Sequence, residues 1–337
     1  MTTSCWRIVF FGTPVFAVPA LKALLEGPDE IIAAVTQPDR KKGRGQRISF
    51  SPVKETVLQY TAASFLPFKG RAREGMGSDT KAQEILLFQP EKVKEEAFQE
   101  SLRGLHPDLF VVAAYGQILP KSLLDIPQHG AINVHASLLP KYRGAAPIAW
   151  AILKGEASTG VTIIQMDQGM DTGDILLQKE IPIGAGETSE TLHDKLASLG
   201  ARLLMEALAK IKGGEISPLR QDPSLATYAP LLKKDDGRID WRREAREIDR
   251  QVRAFDPWPG AYTLLEGQLL KIFKGEVREG KPGEPAGKVL WTGMGFVEVG
   301  AGRGSFVIRE VQLEGKKRMS IRDFLAGHPI PVGTVVQ

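Results

Sequence analysis

The stretch of sequence that decides the fold is Asp108–Ala113, which reads DLFVVA. Its apolar character is continuous rather than alternating, which is typical of a strand covered on both faces. Similar short apolar runs precede it at Arg7–Phe11 and Glu30–Thr36, and another follows at Gly130–His135. Amphipathic stretches that indicate helices lie between these runs. We therefore predict an α/β fold with a mostly parallel sheet.

The sequence pattern changes after residue 211. Thr188–Ile211 is the clearest predicted helix, because its leucines fall on one stripe. Residues 212–228 contain glycine and proline without periodicity and indicate a linker. Short strands separated by glycine-rich turns follow, and they predict a small, closed, OB-like β-barrel. We expect two domains, residues 1–211 and residues 229–337.

The composition excludes several classes of protein. The 337 residues are 42% hydrophobic and 25% charged, which suits a soluble globular protein. A single cysteine, Cys5, excludes an intramolecular disulfide, and the scattered histidines give no reason to expect a metal. No apolar run reaches the roughly 18 residues of a membrane span. Because Gly12 and Pro14 interrupt the apolar N-terminal stretch, we expect a cytoplasmic protein without a signal peptide.

Common nucleotide and nucleophile motifs are missing. The residues after the first strand read Phe11–Phe16, FGTPVF, and lack the G-x-G-x-x-G pattern that brings backbone close to a dinucleotide pyrophosphate. The sequence also has no G-K-[ST] phosphate loop and no G-x-S-x-G elbow. A nicotinamide site and covalent catalysis by serine or cysteine are therefore disfavoured.

The strand at Gly130–His135 opens the segment GAINVHASLLPKYRG, which ends at Gly144. It contains the sole asparagine of the chain, Asn133, against sixteen glutamines. Side chains alternate along a strand, so Asn133 and His135 should point to the same side. An amide N–H beside an imidazole can hold a carbonyl oxygen as it becomes negative. The alternative is a strand end with two satisfied polar groups.

A second polar segment, Met166–Asp174, reads MDQGMDTGD and follows another apolar strand. A carboxylate in this turn could face His135 and favour the charged imidazolium. Asp167, Asp171 and Asp174 compete for that role. The alternative is that each acid only supports the backbone of the turn.

Seven motifs together carry a resemblance that covers nearly the whole chain. They are FFGTPVFA from Phe10, TQPDR from Thr36, GRGQ from Gly43, VVAAYGQILP from Val111, INVHASLLPKYRGAAPI from Ile132, TGVTIIQMDQGMDTGD from Thr159 and RAFDPWPG from Arg253. With these motifs the chain resembles the methionyl-tRNA formyltransferase family. That family transfers the formyl group of 10-formyltetrahydrofolate to the α-amine of methionine on initiator tRNA. The resemblance implies a Rossmann-like formyltransferase domain followed by an OB-like barrel, and a role in translation initiation.

The resemblance also implies roles for individual residues. The catalytic asparagine, histidine and aspartate of the family correspond to Asn133, His135 and Asp171. Its folate-binding element corresponds to Ser137, Leu138, Leu139 and Pro140, and the loop Gln117, Ile118 and Leu119 is expected to line the same pocket. No metal is implied. We expect Asn133 and protonated His135 to stabilise an oxyanion while Asp171 assists.

A basic loop follows the second predicted strand. It contains Arg40, Lys41, Lys42, Arg44 and Arg47 with no acid between them, in a chain whose net charge is only +4. The resemblance implies that this loop binds the acceptor end of tRNA, with Arg44 in the family's G-R-G motif; a solvated surface loop is the alternative. A further set of cations could form a basic face for the tRNA body: Lys271, Lys274, Arg278, Lys316, Lys317 and Arg318.

Thr61–Glu84 is an insert relative to the family, and we expect it to be a mobile surface loop. Rival functions are formyl transfer to a small amine acceptor, hydrolysis of the same formyl donor, and RNA binding without catalysis. The basic loop and the second domain favour tRNA as the acceptor. We expect a monomer with no stable protein partner and no membrane contact.

Overall fold

The computed structural model describes residues 5–42, 47–65, 84–282, 285–293 and 295–337. In the first part of the chain the elements are β1 (Arg7–Gly12), α1 (Val18–Leu25), β2 (Glu30–Val35), β3 (Arg40–Lys42), β4 (Arg47–Ser49), α2 (Pro52–Phe65), β5 (Leu86–Phe88), α3 (Glu96–Arg103), β6 (Leu109–Ala113), α4 (Lys121–Leu124), β7 (Ala131–His135), β8 (Arg143–Gly144), α5 (Pro147–Lys154), β9 (Ser158–Gln165), β10 (Ile175–Pro182) and α6 (Ser189–Lys212). They are followed by β11 (Tyr228–Ala229), α7 (Ala245–Ala254), β12 (Ala261–Leu265), β13 (Gln268–Pro282), β14 (Val289–Gly293), β15 (Phe296–Gly300), β16 (Arg303–Leu313), β17 (Met319–Ser320) and α8 (Ile321–Gly327).

A seven-stranded sheet forms the centre of the first part of the chain, in the order β10-β9-β7-β6-β1-β2-β5. Strand β1 pairs in parallel with β2 and β6, β6 pairs in parallel with β7, and β2 pairs in parallel with β5. Strand β9 runs antiparallel to β7. The prediction of a mostly parallel α/β sheet is confirmed.

The central strands of this sheet are buried along their length. All five residues of β6 are buried, as the continuous apolar run predicts. Phe10, Phe11 and Phe110 have no exposed surface, and the rings of Phe11 and Phe110 pack 5.0 Å apart. Burial of this size is the main favourable contribution to folding, so these strands form a rigid support for the loops at their ends.

Hydrogen bonds join the loops that follow the carboxyl ends of β1, β2 and β6. The Thr13 hydroxyl donates to the carbonyl of Tyr115 at 3.0 Å, and the Gln37 side-chain amide donates to the same carbonyl at 3.3 Å. The backbone amide of Gln37 donates to the Thr13 hydroxyl at 3.2 Å. Residues of the F-G-T-P and T-Q-P-D motifs therefore hold together the loops at the carboxyl ends of these strands.

The second sheet is antiparallel and has the order β12-β13-β16-β15-β14, with β17 paired to β16. The last residues of the chain bond to both of its edge strands. Leu264 in β12 exchanges backbone hydrogen bonds with Gln337, and Val289 in β14 donates to the carbonyl of Thr334. The terminal segment therefore bridges the two edges, which agrees with the expected closed β domain.

The chain divides into two compact units. One contains Met1–Arg143, Gly160–Glu180 and Asp194–Thr227, and the other contains Gly144–Thr159, Ile181–His193 and Tyr228–Gln337. The sheet of the first unit carries the predicted catalytic strand, and the antiparallel sheet lies in the second. The division into a domain of residues 1–211, a linker of residues 212–228 and a domain of residues 229–337 stays a prediction.

The structure differs from the sequence expectations in several segments. The basic loop is partly a β-hairpin, because β3 pairs antiparallel with β4. Helix α2 continues to Phe65, so the first residues of the segment expected to be a loop, Thr61–Glu84, are helical. Residues 66–83 of that segment lie outside the described residues. Strand β12 and helix α8 were not predicted.

No described helix is both long and apolar enough to span a membrane. The 24-residue helix α6 has the necessary length, but charged residues recur along it.

Candidate active site

His135 ends β7, the strand next to β6 in the sheet, and is buried, with 6% of its surface exposed. Its ring nitrogen Nε2 lies 3.0 Å from the backbone carbonyl of Tyr142. Because a carbonyl oxygen can only accept, Nε2 must carry a proton in this arrangement. The other ring nitrogen, Nδ1, faces the carboxylate of Asp171, with Oδ2 3.6 Å away.

Asn133 stands two residues earlier on the same strand. Its side-chain Nδ2 donates to Oδ1 of Asp171 over 3.5 Å. The shared contact with Asp171 confirms that Asn133 and His135 point to the same side of β7. An amide donor and an imidazole nitrogen thus converge on one carboxylate at the end of a central strand.

The three candidate acids have different environments. Asp167 supports the turn, because its Oδ1 accepts hydrogen bonds from the Gly169 amide at 3.0 Å and the Thr172 hydroxyl at 2.6 Å. Asp174 takes part in the sheet through its backbone carbonyl, which accepts from the Gln165 amide. The carboxylate of Asp171 is the one that reaches His135. The alternative that an acid only supports the backbone of the turn therefore holds for Asp167.

Two residues in contact with His135 have an uncommon backbone conformation. Asp171 has φ +54° and Tyr142 has φ +61°, which places both in the left-handed region. For residues other than glycine, this conformation costs about 1–3 kcal/mol and persists only where the surroundings enforce it. Such strain often accompanies functional sites, and here it lies on both sides of one imidazole.

The S-L-L-P loop follows directly after His135 and is held by polar contacts. Ser137 is fully buried, and its hydroxyl donates to the carbonyl of Lys141 at 2.6 Å. The Thr162 hydroxyl accepts from the amide of Leu139 and donates to the carbonyl of Ser137. Leu139 is buried, while Leu138 and Pro140 are half-buried. All four backbone carbonyls of the loop accept hydrogen bonds within the protein, so its half-buried side chains, Leu138 and Pro140, are the groups it can offer a ligand.

The Gln117–Leu119 loop presents one side chain to solvent. Gln117 is engaged internally: its Oε1 accepts from the amide of Val93 and its Nε2 donates to the carbonyl of Glu91. Leu119 is buried in the core of the first unit, whereas Ile118 is 79% exposed. Because Gln117 and Leu119 hold the loop on either side of Ile118, the exposed Ile118 side chain can cover the ring of a ligand without a change in the loop backbone.

A cavity of about 500 Å³ lies beside the acidic turn. Its lining residues are Lys121, Leu124, Asp125, Gly130, Ala131, Gln165, Met166, Asp167, Gln168 and Gly169. This volume is within the usual range for small-molecule sites, roughly 300–1,000 Å³. The segment Asp167–Gly169 leads directly into Asp171, so one loop borders the cavity and carries the candidate catalytic acid.

Two residues at the site were not found by sequence reasoning. Arg143 and Gln221 are each 5% exposed, and the Gln221 amide donates to the backbone carbonyl of Asp171. Gln221 lies in a stretch without periodicity that was interpreted as a linker, so its contact depends on tertiary structure. Arg143 belongs to the Y-R-G part of a recognised motif but carried no assigned role.

The basic hairpin is anchored at its base. Lys54 Nζ lies 2.5 Å from Asp39 Oδ2 and 2.7 Å from Gln89 Oε1. The side-chain amide of Gln89 donates to Asp39 Oδ1, which completes a three-membered network. The candidate tRNA-binding residues have these positions: Arg40 is exposed opposite Ser49, Lys41 pairs with Ile48, Lys42 pairs with Arg47, and Arg44 lies outside the described residues.

The expected basic face of the second unit is smaller than its sequence suggests. Arg278 bonds to Glu298, and Arg318 bonds to both Glu310 and Asp256. The ammonium of Lys271 donates to the carbonyl of Pro259. Partners within the unit therefore neutralise or hold three of the six cations that were expected to face tRNA. Cross-strand neighbours were not visible in the linear sequence.

The chain is similar to known proteins along most of its length. Residues 6–208 match the formyl transferase family, and residues 231–329 match the C-terminal domain of formyl transferases. Methionyl-tRNA formyltransferase from Citrifermentans bemidjiense is 50% identical over 327 residues, covering 97% of this chain and 95% of that protein. The chain belongs to the methionyl-tRNA formyltransferase family. The family's enzyme from Caldanaerobacter subterraneus subsp. tengcongensis is 48% identical and is covered over its full length.

Solved structures show that the formyltransferase fold extends over most of the chain. WlaRD, a sugar 3N-formyl transferase solved with dTDP and 5-N-formyl-THF, matches with a TM-score of 0.63 at 19% identity, covering 93% of this chain and all of that one. An N-formyltransferase from Helicobacter canadensis matches with a TM-score of 0.62 at 18% identity, covering 91% and 99%. The predicted fold class, a formyltransferase domain followed by a β domain, is confirmed.

Within the described ranges, no three His, Cys, Asp or Glu side chains are grouped closely enough to hold a metal ion. The polar groups that meet near the end of β7 are an amide, an imidazole and a carboxylate, a set suited to hydrogen bonding and proton transfer.

Proposed function

We propose that this formyltransferase moves the formyl group of 10-formyltetrahydrofolate to the α-amine of methionyl initiator tRNA. The observation that carries the proposal is the convergence of Asn133 and His135 on Asp171 in a chain of this family. The relatives' name supports the choice of acceptor. A protein that formylates an aminoacyl-tRNA acts in translation, and we expect it to work in the cytoplasm as a monomer.

The distances at the site support a role in stabilising an oxyanion. Asn133 Nδ2 and His135 Nδ1 lie 3.5 and 3.6 Å from oxygens of Asp171, which is long for hydrogen bonds to a carboxylate. Both nitrogens therefore retain donor capacity toward an oxygen that binds between them. In our mechanism the neutral amine attacks the formyl carbon, and the carbonyl oxygen becomes negative. Asn133 and protonated His135 donate to that oxygen.

Asp171 has two tasks in this mechanism. Its carboxylate faces Nδ1 of His135 and, together with the contact between Nε2 and the carbonyl of Tyr142, orients the ring. It also accepts the proton that the attacking amine releases, through a water molecule. The bond between the formyl carbon and N10 of the folate then breaks. N10 leaves with the proton that Asp171 took from the amine, returned through the same water, so the products are the formylated amine and tetrahydrofolate and Asp171 is again a carboxylate.

The folate is proposed to bind between the S-L-L-P loop, the Gln117–Leu119 loop and the cavity beside the acidic turn. Ser137, Leu138, Leu139 and Pro140 follow His135 directly along the chain, and Leu138 and Pro140 keep part of their surface exposed. Ile118 is available to cover the pterin, while Gln117 and Leu119 fix the loop that carries it. Holding the donor and the amine together supplies much of the rate.

The initiator tRNA is proposed to contact two regions. The basic loop that contains Arg40, Lys41, Lys42, Arg44 and Arg47 would bind phosphates near the acceptor end, since five cations without an acid form a strong local field. We propose residues 1–211 as the catalytic domain, residues 212–228 as the linker and residues 229–337 as a second tRNA-binding domain.

The direct test is incubation of the purified chain with 10-formyltetrahydrofolate and methionyl initiator tRNA, with methionyl elongator tRNA as the control. We expect formylation of the initiator tRNA alone. Equal formylation of both tRNAs would contradict the proposed specificity. If neither tRNA is formylated and a small amine such as an amino-sugar nucleotide is, the proposed acceptor is wrong and the proposed formyl-transfer chemistry is kept.

A further inference from the structure

Gln221 is a buried side chain whose hydrogen-bonding capacity is fully used within the first unit. Its Oε1 accepts from Nε and Nη2 of Arg143, at 3.1 and 2.7 Å. Its Nε2 donates to the backbone carbonyl of Asp171 at 2.9 Å and to that of Gly173 at 2.7 Å. A glutamine amide has two donor hydrogens and two acceptor lone pairs, and here all four have partners.

These partners fix the orientation of the Gln221 amide. A guanidinium only donates and a backbone carbonyl only accepts, so exchanging the amide oxygen and nitrogen would break all four contacts. Gln221 therefore connects a buried arginine to the turn that contains Asp171. That turn includes the left-handed φ of +54° at Asp171, a conformation that must be enforced by its surroundings.

The same short segment also holds the opposite side of His135. The hydroxyl of Thr227 accepts from the backbone amide of Tyr142 at 2.9 Å, and its carbonyl accepts from the amide of Arg143 at 2.9 Å. Tyr142 has the second left-handed backbone at the site and supplies the carbonyl that bonds His135 Nε2. Residues 221–227 thus fix both groups that face the imidazole, the carbonyl on one side and the carboxylate on the other.

We propose that Gln221 is a positioning residue for formyl transfer: it holds the Asp171 turn so that the carboxylate faces His135. This inference rests on the proposed function and adds a residue that acts through Asp171 rather than on the substrate. Misplacing a reacting group by about 1 Å can cost about a hundredfold in rate. The effect of losing the Gln221 amide should therefore appear in kcat.

The variant Gln221→Glu tests this role because it has nearly the same shape. Its carboxylate can still bond the Arg143 guanidinium, but it has no donor for the carbonyls of Asp171 and Gly173. We expect kcat to fall about ten- to a hundredfold, with KM for folate and for tRNA changed by no more than about twofold. A fall in kcat below about threefold would overturn the inference.

Gln251→Glu is the matched control. Gln251 in α7 is also 5% exposed, and its Nε2 also donates to two backbone carbonyls, those of Asp236 and Arg238. It belongs to the second unit. Both variants should lower the melting temperature, but only Gln221→Glu should lower kcat. Equal losses of kcat in the two variants would assign Gln221 a purely structural role.

A double-mutant cycle with Asp171→Ala decides whether Gln221 acts through that carboxylate. In single-turnover assays, adding Gln221→Glu to Asp171→Ala should cost no further rate. If Gln221→Glu lowers the rate of the Asp171→Ala variant by the same factor as it lowers the rate of wild type, the inference is overturned and the proposed function stands. If Gln221→Glu does not fold, Gln221→Met enters the same cycle with the same expected outcomes. A wild-type chain that formylates no amine would overturn the proposed function and this inference together.

Discussion

Nδ1 of His135 lies 3.6 Å from a carboxylate oxygen of Asp171 while Nε2 of the same ring bonds the carbonyl of Tyr142. The imidazole is therefore held between a neutral acceptor and an anion. In the proposed mechanism, the pair supplies a donor for the developing oxyanion and a base for the attacking amine.

Replacement of Asp171 by asparagine should remove both contributions while keeping the shape of the side chain. We expect Asp171→Asn to lower kcat by about 10²–10⁴-fold, the usual range for a positioned general acid or base. Steady-state formylation of methionyl initiator tRNA measures the effect. Asp174→Asn, three residues later in the same motif, should stay within about threefold of wild type. Similar losses in both variants would refute the assignment of Asp171.

Replacement of Asn133 by alanine should remove a neutral donor from the oxyanion. Loss of one such donor costs about 10²–10³-fold in kcat. Asn133→Asp should be at least as damaging, because it places a second carboxylate beside Asp171 and offers an acceptor to the oxyanion. The measurement is kcat/KM for the amine acceptor. Near wild-type activity in Asn133→Ala would show that another group stabilises the oxyanion.

Arg44 is expected to contribute to tRNA binding and not to folate binding. Reversing its charge in Arg44→Glu should raise KM for tRNA at least tenfold, with a weaker salt dependence, because a phosphate contact is lost. Folate affinity, measured by fluorescence titration, should be unchanged. Lys94→Glu, an exposed position of the first unit, is the control for a change in net charge. Equal loss of tRNA and folate binding would contradict this division of roles.

Asp39 should stabilise the base of the basic hairpin in a pH-dependent way. Its hydrogen bond with Lys54, assisted by Gln89, holds the pKa of the Asp39 carboxyl below its ordinary value of 3.8. The unfolded chain therefore binds this proton more readily, so the stabilisation is complete above pH 3.8 and is lost as pH falls through the lower, folded-state pKa. At pH 7, Asp39→Asn should lower the free energy of unfolding by about 1 kcal/mol.

Thermal unfolding at a series of pH values checks this expectation. The difference in melting temperature between wild type and Asp39→Asn should shrink below pH 3.8. Asp125→Asn removes a more exposed ion pair with Lys121 and should have a smaller effect at every pH. A constant difference between wild type and Asp39→Asn down to pH 3 or below would show that the Asp39 charge is not the source.

Much of the first unit could be predicted from apolar runs, because each central strand is buried on both faces. Strands β1, β2, β6 and β7 begin and end within about one residue of the expected positions, as helix and strand boundaries allow. Helix α8 was missed although its signal was present: Ser320 caps its first turn by accepting from the amide of Asp323. Strand β12 was missed because it follows a proline-rich turn and its residues alternate between buried and half-buried, without the continuous apolar run of the central strands.

The candidate site was predictable in part. Asn133 and His135 could be paired because alternation along a strand puts them on one side. The three acids of the next turn could not be separated by their residue type, since the choice depends on which carboxylate the turn brings to His135. Gln221 could not be found at all, because nothing in residues 212–228 shows which carbonyls its amide will meet.

The contacts of Gln221 and Thr227 have a consequence for the order in which the protein is made. Gln221 follows Asp171 by 50 residues, and Thr227 follows Tyr142 by 85. A nascent chain on the ribosome therefore carries all three candidate catalytic side chains well before the segment that orients them has been synthesised. The hydrogen bonds around His135 are complete only after Thr227 has emerged, so a chain released before that point would contain the chemical groups without their arrangement.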